Sequence, residues 1–256
     1  DMIFTNLVQA NLKTRFLGRQ IEYYGRLEST NSEAWEIIDE GVQSGALLIT
    51  DNQYNGRGRF DQKWYAAPDK SLTFSILLFS DLEPVISGWI PILSGVAIQK
   101  ALAKFDTSVK LKWPNDLLLN GKKIGGILCE SKVKENLLNQ IVIGIGLNVN
   151  ETKEDFNPAI QSMANSLHIV SGKFYQRERV LAEIVNELEP WISGLPKNTD
   201  QIQFEWEAAC GHLKEEIQFH NGNEIVSGIF KSLGKSGSAV IEVDGKETQF
   251  HSGKIN

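Results

Sequence analysis

Apolar residues along this chain follow two alternating patterns, which together predict a protein built from strands and helices. Short apolar runs between polar loops predict strands, and apolar residues three or four apart predict helices. Thr30 and Glu33 have the spacing of a capping box at a helix N-terminus. We predict strands at residues 47–50, 72–79 and 141–150, and helices after Ser29-Thr30-Asn31 and at residues 89–105 and 177–192.

The dipeptide Asn120-Gly121 between two apolar runs predicts a tight hairpin with a type I′ turn. If these residues form the turn, Lys123 pairs with Leu118 on the opposite strand. Side chains alternate between the faces of a strand, so Asp116 shares a face with Leu118 and hence with Lys123. We expect Asp116 and Lys123 to be diagonal neighbours within about 8 Å, in reach of one small ligand.

The pattern of apolar and polar residues changes after Gly211. Short strand-like runs alternate with turn signals such as Asn221-Gly222 and Asp244-Gly245, which is typical of a small antiparallel barrel. We place the boundary between residues 208 and 212, which divides the chain into domains 1–209 and 210–256.

The net charge of −6 hides two short basic segments in an acidic chain. Residues 53–63 carry three cations against one anion, and residues 110–123 carry four lysines against Asp116. Such segments favour a compact anion site over a long groove that follows a phosphate backbone. The alternative is that they are ordinary solvated loop charges. The acidic balance argues against a general nucleic-acid binder.

The cysteine count and the hydropathy pattern predict the cellular setting. Two cysteines cannot build a disulfide framework, so we expect Cys129 and Cys210 to be reduced thiols in a cytoplasmic protein. No run reaches the roughly 18 to 20 consecutive apolar residues that cross a bilayer, and residues 1–20 lack a signal-peptide core. We therefore expect no membrane association.

Common nucleotide and metal motifs are missing from the sequence. It has no Walker A loop, no complete dinucleotide fingerprint and no zinc-ligand spacing. If ATP is used, the loop from Gln53 to Trp64 is the candidate site, because its glycines let the backbone approach a phosphate while Arg57 and Arg59 surround it. Trp64 could stack on a base, although most tryptophans are core residues.

Taken together, these segments resemble the biotin protein ligases. The resemblance runs from about residue 15 to the end of the chain, and the string Lys112-Trp113-Pro114-Asn115-Asp116 is its most specific part. One departure concerns Asp61 and Gln62, which stand where the family usually has a second Gly-Arg pair. The other matching segments are Leu17-Gly18-Arg19, Ser29-Thr30-Asn31, Gln53, Gly56-Arg57-Gly58-Arg59, Trp64, Lys123, Gly125-Gly126-Ile127 and Gly144-Ile145-Gly146-Leu147-Asn148.

The resemblance implies a fold and a reaction. The expected fold is α+β: a mixed, mainly antiparallel sheet flanked by helices, of the class II aminoacyl-tRNA-synthetase type, followed by a small SH3-like barrel. The expected reaction joins biotin and Mg-ATP into biotinyl-5′-adenylate, then transfers biotin to a lysine of a biotin carboxyl carrier protein. That partner would belong to acetyl-CoA carboxylase or a related biotin-dependent carboxylase.

The resemblance also assigns roles to residues. Arg57, Arg59 and Lys123 would neutralise the two anionic substrates, and Lys123 would bridge the biotin carboxylate and the α-phosphate. Asp116 would orient or deprotonate the acceptor lysine; alternatively, it only pairs with Lys123. Trp64 would stack on adenine, and Asn148 would lie on the side of the Mg²⁺-bound phosphates. The implied biotin-binding residues are Ser29, Thr30, Asn31, Gln53, Gly56, Lys123, Gly125, Gly126 and Gly144.

Three alternatives remain open at this point. A lipoate or octanoate ligase shares the broad fold, although the two basic motifs favour biotin. A DNA-binding regulator would need an N-terminal helix-turn-helix, and only about 16 residues precede Leu17, so we expect no operator binding. A non-catalytic biotin-binding protein would have little use for Lys123. The oligomeric state, monomer or homodimer, is left open.

Overall fold

A computed structural model describes residues 2–60, 62–222 and 224–256. Its largest element is a seven-stranded sheet with the order β1-β2-β5-β9-β8-β7-β6. The outer pair β1 and β2 is parallel and every other neighbouring pair is antiparallel, so the predicted mixed, mainly antiparallel sheet is confirmed. The strands are β1 (Ile21–Tyr24), β2 (Ala46–Thr50), β5 (Leu72–Leu82), β6 (Lys110–Lys112), β7 (Asp116–Leu119), β8 (Lys122–Lys134) and β9 (Leu137–Leu147).

Six helices lie within the described residues: α1 (Thr5–Asn11), α2 (Thr30–Glu36), α3 (Trp89–Ala103), α4 (Leu167–Ser171), α5 (Arg177–Gly194) and α6 (Thr199–Ala209). The predicted capping residue of α2 is wrong by one position. Ser29 has the extended backbone of an N-cap and its side chain accepts a bond from the Ser32 amide, while Thr30 is already helical.

The seven-stranded sheet separates two apolar cores. On β5, Phe74 and Ile76 face the larger core with α3 and α5, whereas Leu77 faces the smaller core beside α2. Because side chains alternate along a strand, Thr73 and Ser75 share the face of Leu77. This α2 face is the side of the sheet on which polar side chains collect.

The helix α3 is apolar on all sides because it packs between the sheet and two other helices. With the preceding 3-10 turn it forms the segment Pro84–Ala103, the one candidate membrane span among the described residues, with a mean hydropathy of 1.4. In the structure 67% of that window is buried inside the protein, as expected for a core helix of this length. Cys129 packs against the same core, and burial raises the pKa of its thiol.

A second, five-stranded antiparallel sheet follows α6, with the order β13-β12-β11-β10-β14. It contacts the first part of the chain through Trp113, whose Nε1 donates to Gly237 O at 3.1 Å. The predicted β-rich C-terminal region is therefore present, whereas its SH3-like class and the domain boundary at 209/210 stay predictions. Its strands are β10 (Glu216–Asn221), β11 (Glu224–Leu233), β12 (Ala239–Val243), β13 (Lys246–Phe250) and β14 (Lys254–Ile255).

Candidate active site

A pocket opens on the α2 face of the large sheet, and we call it the central pocket. Its floor is β9 and β8, and its walls come from the N-terminus of α2, the loop after Gln53 and the turn before β14. The loop contains a two-stranded hairpin, β3 (Gly56–Arg57) and β4 (Lys63–Trp64). Eleven predicted site residues line the pocket: Ser29, Thr30, Asn31, Gln53, Arg57, Arg59, Trp64, Asp116, Lys123, Gly126 and Gly144.

Hydrogen bonds fix the polar groups at the end of the pocket beside α2, which we call the α2 end. The Thr30 amide donates to Gln53 Oε1 at 2.9 Å. The Ser75 hydroxyl lies 2.7 Å from Thr30 Oγ1 and 2.6 Å from Asn31 Oδ1. These four side chains are buried, so their positions are set before any ligand arrives and they present a rigid polar surface.

Two glycines of β9 make room for these side chains. Because Ile143 and Ile145 face the larger core, Gly144 and Gly146 face the pocket. A Cβ on Gly144 would collide with the Asn31 carboxamide, and a Cβ on Gly146 would lie 2.6 Å from Trp64 Nε1. The glycines in the predicted strand therefore mark close approach, as expected, but the approaching groups are side chains of this chain.

The opposite end of the pocket, the hairpin end, holds the predicted acid–base pair. Leu118 pairs with Lys123 as predicted, and Asn120 and Gly121 have φ values of 51° and 72°, which fit a type I′ turn. Lys123 Nζ lies 2.6 Å from Asp116 Oδ1, with the two side chains 40% and 20% exposed. The hairpin prediction is confirmed, and the ion pair remains accessible from the pocket.

Two further lysines lie near the hairpin end: Lys112, which pairs with Asp116 across β6 and β7, and Lys254. Sequence reasoning gave neither of them a role. Burial lowers the pKa of Lys112, the nearby Asp116 partly offsets this, and the positive charges of Lys123 and Lys254 lower it further. Lys254 comes from β14 and lines the pocket. Its position could not be predicted, because it depends on how the C-terminal sheet packs. Lys112 could have been found, since it lies in the same predicted string as Asp116.

The two arginines of the loop point to different partners. Arg57 forms a forked ion pair with Glu130 of β8, with both N–O distances 3.1 Å. Glu130 also accepts a bond from Asn31 Nδ2 at 2.7 Å, so sequence reasoning missed a carboxylate that joins the loop to α2. Arg59 Nη1 donates to Gly253 O at 3.2 Å, and burial lowers the pKa of Arg59. Asp61, the predicted departure, lies outside the described residues.

Trp64 separates the two ends of the pocket. Its indole rests on Gly146, and its ring centroid lies 6.0 Å from Lys123 Nζ. The side chain therefore adjoins both Gly146 and Lys123, and its indole N–H is a buried donor that has no partner among the described residues.

Three predicted residues do not line the central pocket. Gly56 and Gly125 lie behind it: a Cβ on Gly56 would collide with the Gln53 amide, and a Cβ on Gly125 would lie 2.8 Å from Gly146 O. Both glycines serve close packing, and their contact with biotin stays a prediction. Asn148 instead lines an adjoining outer cavity together with Trp64 and Lys123.

The segment 163–165, for which the sequence offered no interpretation, supports the hairpin end. The Lys123 amide donates to Met163 O at 2.9 Å, and the Asn165 amide donates to Lys123 O at 2.8 Å. Asn148 Nδ2 donates to Asn165 O at 2.9 Å. The backbone of Lys123 is thus held from both sides, which fixes the origin of its long side chain.

No group of three or more His, Cys, Asp or Glu side chains is arranged to hold a metal ion within residues 2–60, 62–222 and 224–256. Asn148 Oδ1 is buried and unpartnered in this part of the chain. An amide oxygen is a ligand that Mg²⁺ accepts, usually beside substrate phosphates and water. The residues therefore fit a cation that arrives with a phosphate ligand.

Comparison with known proteins identifies the family. Residues 23–148 match the sequence model of the family described as "Biotin/lipoate A/B protein ligase family". Residues 23–148 form a domain of this family. The chain is 32% identical over 179 residues to the bifunctional ligase/repressor BirA of Bacillus spizizenii. This match covers 70% of this chain and 55% of that protein. The chain thus spans about half the length of this curated relative.

Two other relatives match this chain over almost their whole length. A biotin–[acetyl-CoA-carboxylase] ligase of Mycobacterium tuberculosis is 26% identical over 267 residues, covering 100% of this chain and 97% of that protein. The structure of the biotin protein ligase from Aquifex aeolicus, in complex with biotin and ATP, superposes with a TM-score of 0.78 at 25% identity. That match covers 93% of this chain and 98% of the other. The expected α+β fold is confirmed by this likeness.

Proposed function

We propose that this chain is a biotin protein ligase, which activates biotin with Mg-ATP and transfers it to a lysine of a biotin carboxyl carrier protein. The observation that carries the proposal is one pocket with a preorganised polar α2 end and a hairpin end built around Lys123 and Asp116. A small molecule with a polar head and a carboxylate tail matches these two ends. The activities of similar proteins support the same function, since they include a biotin–[acetyl-CoA-carboxylase] ligase and a biotin protein ligase.

In the first step, a carboxylate oxygen of biotin attacks the α-phosphorus of ATP. A new O–P bond forms, the bond to the β-phosphate breaks, and pyrophosphate leaves. Both reactants are anionic, so catalysis depends on bringing them together and neutralising their charge. In our proposal Lys123 bridges them. Arg59 and Lys254 line the same pocket, and the charge of Lys112 lies close enough to interact with those of Lys123 and Lys254.

The proposed positions of the ligands follow from the pocket. Ser29, Thr30 and Gln53 would contact the biotin head group at the α2 end, with Asn31 and Gly144 behind it. Trp64 would stack on adenine, and the Mg²⁺-bound phosphates would extend toward Asn148 in the outer cavity. Arg57 pairs with Glu130, so its part in charge neutralisation would require that it leave this partner.

In the second step, the acceptor lysine attacks the acyl carbon of biotinyl-5′-adenylate. A C–N bond forms, the C–O bond to AMP breaks, and the amine loses a proton. Free lysine is charged at neutral pH, so a nearby carboxylate assists by orienting the amine or accepting its proton. Asp116 fills this role in our proposal, because it already lies 2.6 Å from the amine of Lys123.

The proposed partner is a biotin carboxyl carrier protein of acetyl-CoA carboxylase or a related carboxylase, in agreement with the names of two relatives. The proposed location is the cytoplasm, which suits a chain whose two cysteines are free.

The test is incubation of the purified chain with a biotin carrier domain, biotin and Mg-ATP, followed by intact-mass measurement of the carrier. We expect a mass increase of one biotin on a single lysine. A carrier domain whose acceptor lysine is replaced by arginine is the control and should stay unmodified. Modification with lipoate or octanoate and none with biotin would refute the proposal in favour of the related ligase activity.

A further inference from the structure

Strand β5 presents two hydroxyl residues, Thr73 and Ser75, on one face, and a third, Ser71, comes directly before the strand. The outer two have protein partners: Ser71 Oγ bonds to Glu151 and accepts from the Ala67 amide at 2.8 Å, and Ser75 bonds at the α2 end. Thr73 is 4% exposed, yet its Oγ1 has no partner among the described residues.

Thr73 lines the central pocket, close to a second unpartnered group. It pairs directly with Gly146 across β5 and β9, at a spacing of about 5 Å. The indole of Trp64 rests on that same glycine, with Nε1 2.6 Å from the position of a Cβ on Gly146. Thr73 and the indole of Trp64 therefore both adjoin one glycine, Gly146, in the lining of one pocket.

Buried polar groups without partners are uncommon in folded proteins and cost stability. Two of them beside one another in a pocket wall indicate a missing shared partner. The indole N–H can only donate, so an atom that satisfies both groups must accept hydrogen bonds. Sequence reasoning gave Thr73 no role, although a polar residue at every second position of a buried strand is a visible signal.

We propose that Thr73 is a specificity-determining contact of the central pocket, whose hydroxyl, together with Trp64 Nε1, bonds to an acceptor atom on the ring system of bound biotin. This inference rests on the proposed function. Thr73 lies two residues from Ser75 on the same strand, roughly 7 Å away, and Ser75 holds Thr30 and Asn31 at the α2 end. A fused ring system held at that end reaches Thr73 on its opposite edge.

The test compares Thr73→Val, which keeps the shape and removes the hydroxyl, with the conservative variant Thr73→Ser. Dissociation constants for biotin alone and for ATP alone are measured by calorimetry, and the melting temperature of each ligand-free protein is recorded. For Thr73→Val we expect about three- to tenfold weaker biotin binding. ATP binding should be unchanged, and the ligand-free protein should melt about 2 to 4 °C higher. Thr73→Ser should restore the affinity for biotin.

A matched control is available directly across the strand pair. Thr50 on β2 pairs with Thr73 but does not line the pocket, and its hydroxyl accepts from the Asn52 amide at 3.2 Å. Thr50→Val should therefore lower the melting temperature and leave biotin binding unchanged, whereas Thr73→Val should raise the melting temperature and weaken biotin binding.

The proposal is overturned if Thr73→Val binds biotin as tightly as the unmodified protein, or if ATP binding weakens in place of biotin binding. A lower melting temperature together with unchanged affinity would assign Thr73 a purely structural role. If the unmodified protein binds no biotin at all, the proposed function itself fails, and that outcome is distinguishable because it does not depend on the variant.

Discussion

At the scale of single residues, the ion pair between Lys123 and Asp116 is the most consequential contact of the pocket. Asp116 keeps the Lys123 amine at the hairpin end, and the hydrogen bonds from segment 163–165 hold the lysine backbone. Such preorganised cations stabilise charge that develops in a transition state without a cost of reorganisation at the moment of reaction.

Lys123→Ala should lower the rate of adenylate formation by about a hundredfold or more, because it removes the cation between two anionic substrates. Pyrophosphate release with biotin and Mg-ATP measures this step. Lys110→Ala removes an equal charge from the exposed position on β6 that pairs with Leu118, and it should behave as the unmodified protein does. Near-normal pyrophosphate release in Lys123→Ala would refute the assigned role.

Asp116→Asn should slow the transfer step more than adenylate formation, because only the second step needs a neutral amine. Adenylation is followed by pyrophosphate release, and transfer by adding a carrier domain to preformed adenylate in single-turnover experiments. Equal slowing of the two half-reactions would leave Asp116 only the task of holding Lys123.

At the scale of elements, Glu130 joins three parts of the fold that are distant in sequence. Its carboxylate on β8 bonds to Arg57 of the hairpin over the pocket, to Asn31 of α2 and, at 3.4 Å, to Trp35 Nε1. The loop that carries Arg57 is therefore tied to the sheet and to the α2 end by one side chain.

Glu130→Gln keeps a hydrogen-bonding side chain but removes the charge that pairs with Arg57. We expect biotin to bind about three- to tenfold more weakly, because charge-assisted hydrogen bonds are stronger than neutral ones, with little change in melting temperature. Calorimetry with biotin and a thermal melt are the measurements.

Glu242 pairs with Lys231 at 3.2 Å on the second sheet, at a similar exposure, so Glu242→Gln is the matched control and should bind biotin normally. Unchanged affinity in Glu130→Gln would show that the forked pair with Arg57 has no effect on the pocket.

The elements differ in how well the sequence predicts them. The β7–β8 hairpin was predictable to the exact pairing of Lys123, because an Asn-Gly turn fixes register locally. The position of Lys254 and the pairing of Arg57 with Glu130 were not predictable, since they depend on packing between segments more than 70 residues apart. A local sequence pattern can predict which residues form a site, but it does not predict which distant residues they contact.

At the scale of the whole molecule, two buried titratable groups make the free energy of unfolding depend on pH in opposite directions. Burial lowers the pKa of His212 to about 4, and the charge of Lys112 adds a smaller effect in the same direction. The contribution of His212 to the free energy of unfolding is therefore present above pH 6.5 and is lost as pH falls through 4. Burial raises the pKa of Glu151 to about 7, and a bond from Ser71 partly offsets this. The contribution of Glu151 is present below pH 4.5 and is lost as pH rises through 7.

Glu151→Gln should remove that second dependence. The unmodified protein loses free energy of unfolding between pH 5 and pH 8 through the ionisation of this carboxyl, and the variant does not, so their difference should grow in favour of the variant as pH rises. Urea denaturation at pH 5 and pH 8 measures it. Glu83→Gln changes an exposed carboxylate and should show the same pH dependence as the unmodified protein.

The pocket floor on β9 carries no side chains of its own at residues 144 and 146, and the groups that cover it come from α2 and from the loop hairpin. Different parts of the chain therefore provide rigidity and selectivity. The central sheet provides a floor without side chains at these two positions, and α2 and the loop hairpin provide side chains that would contact a ligand. A protein engineer could exchange those segments to accept another carboxylic acid while leaving the folding core untouched. A methyl group added to Gly144 or Gly146 would instead displace Asn31 or Trp64 from the surface that each of them covers.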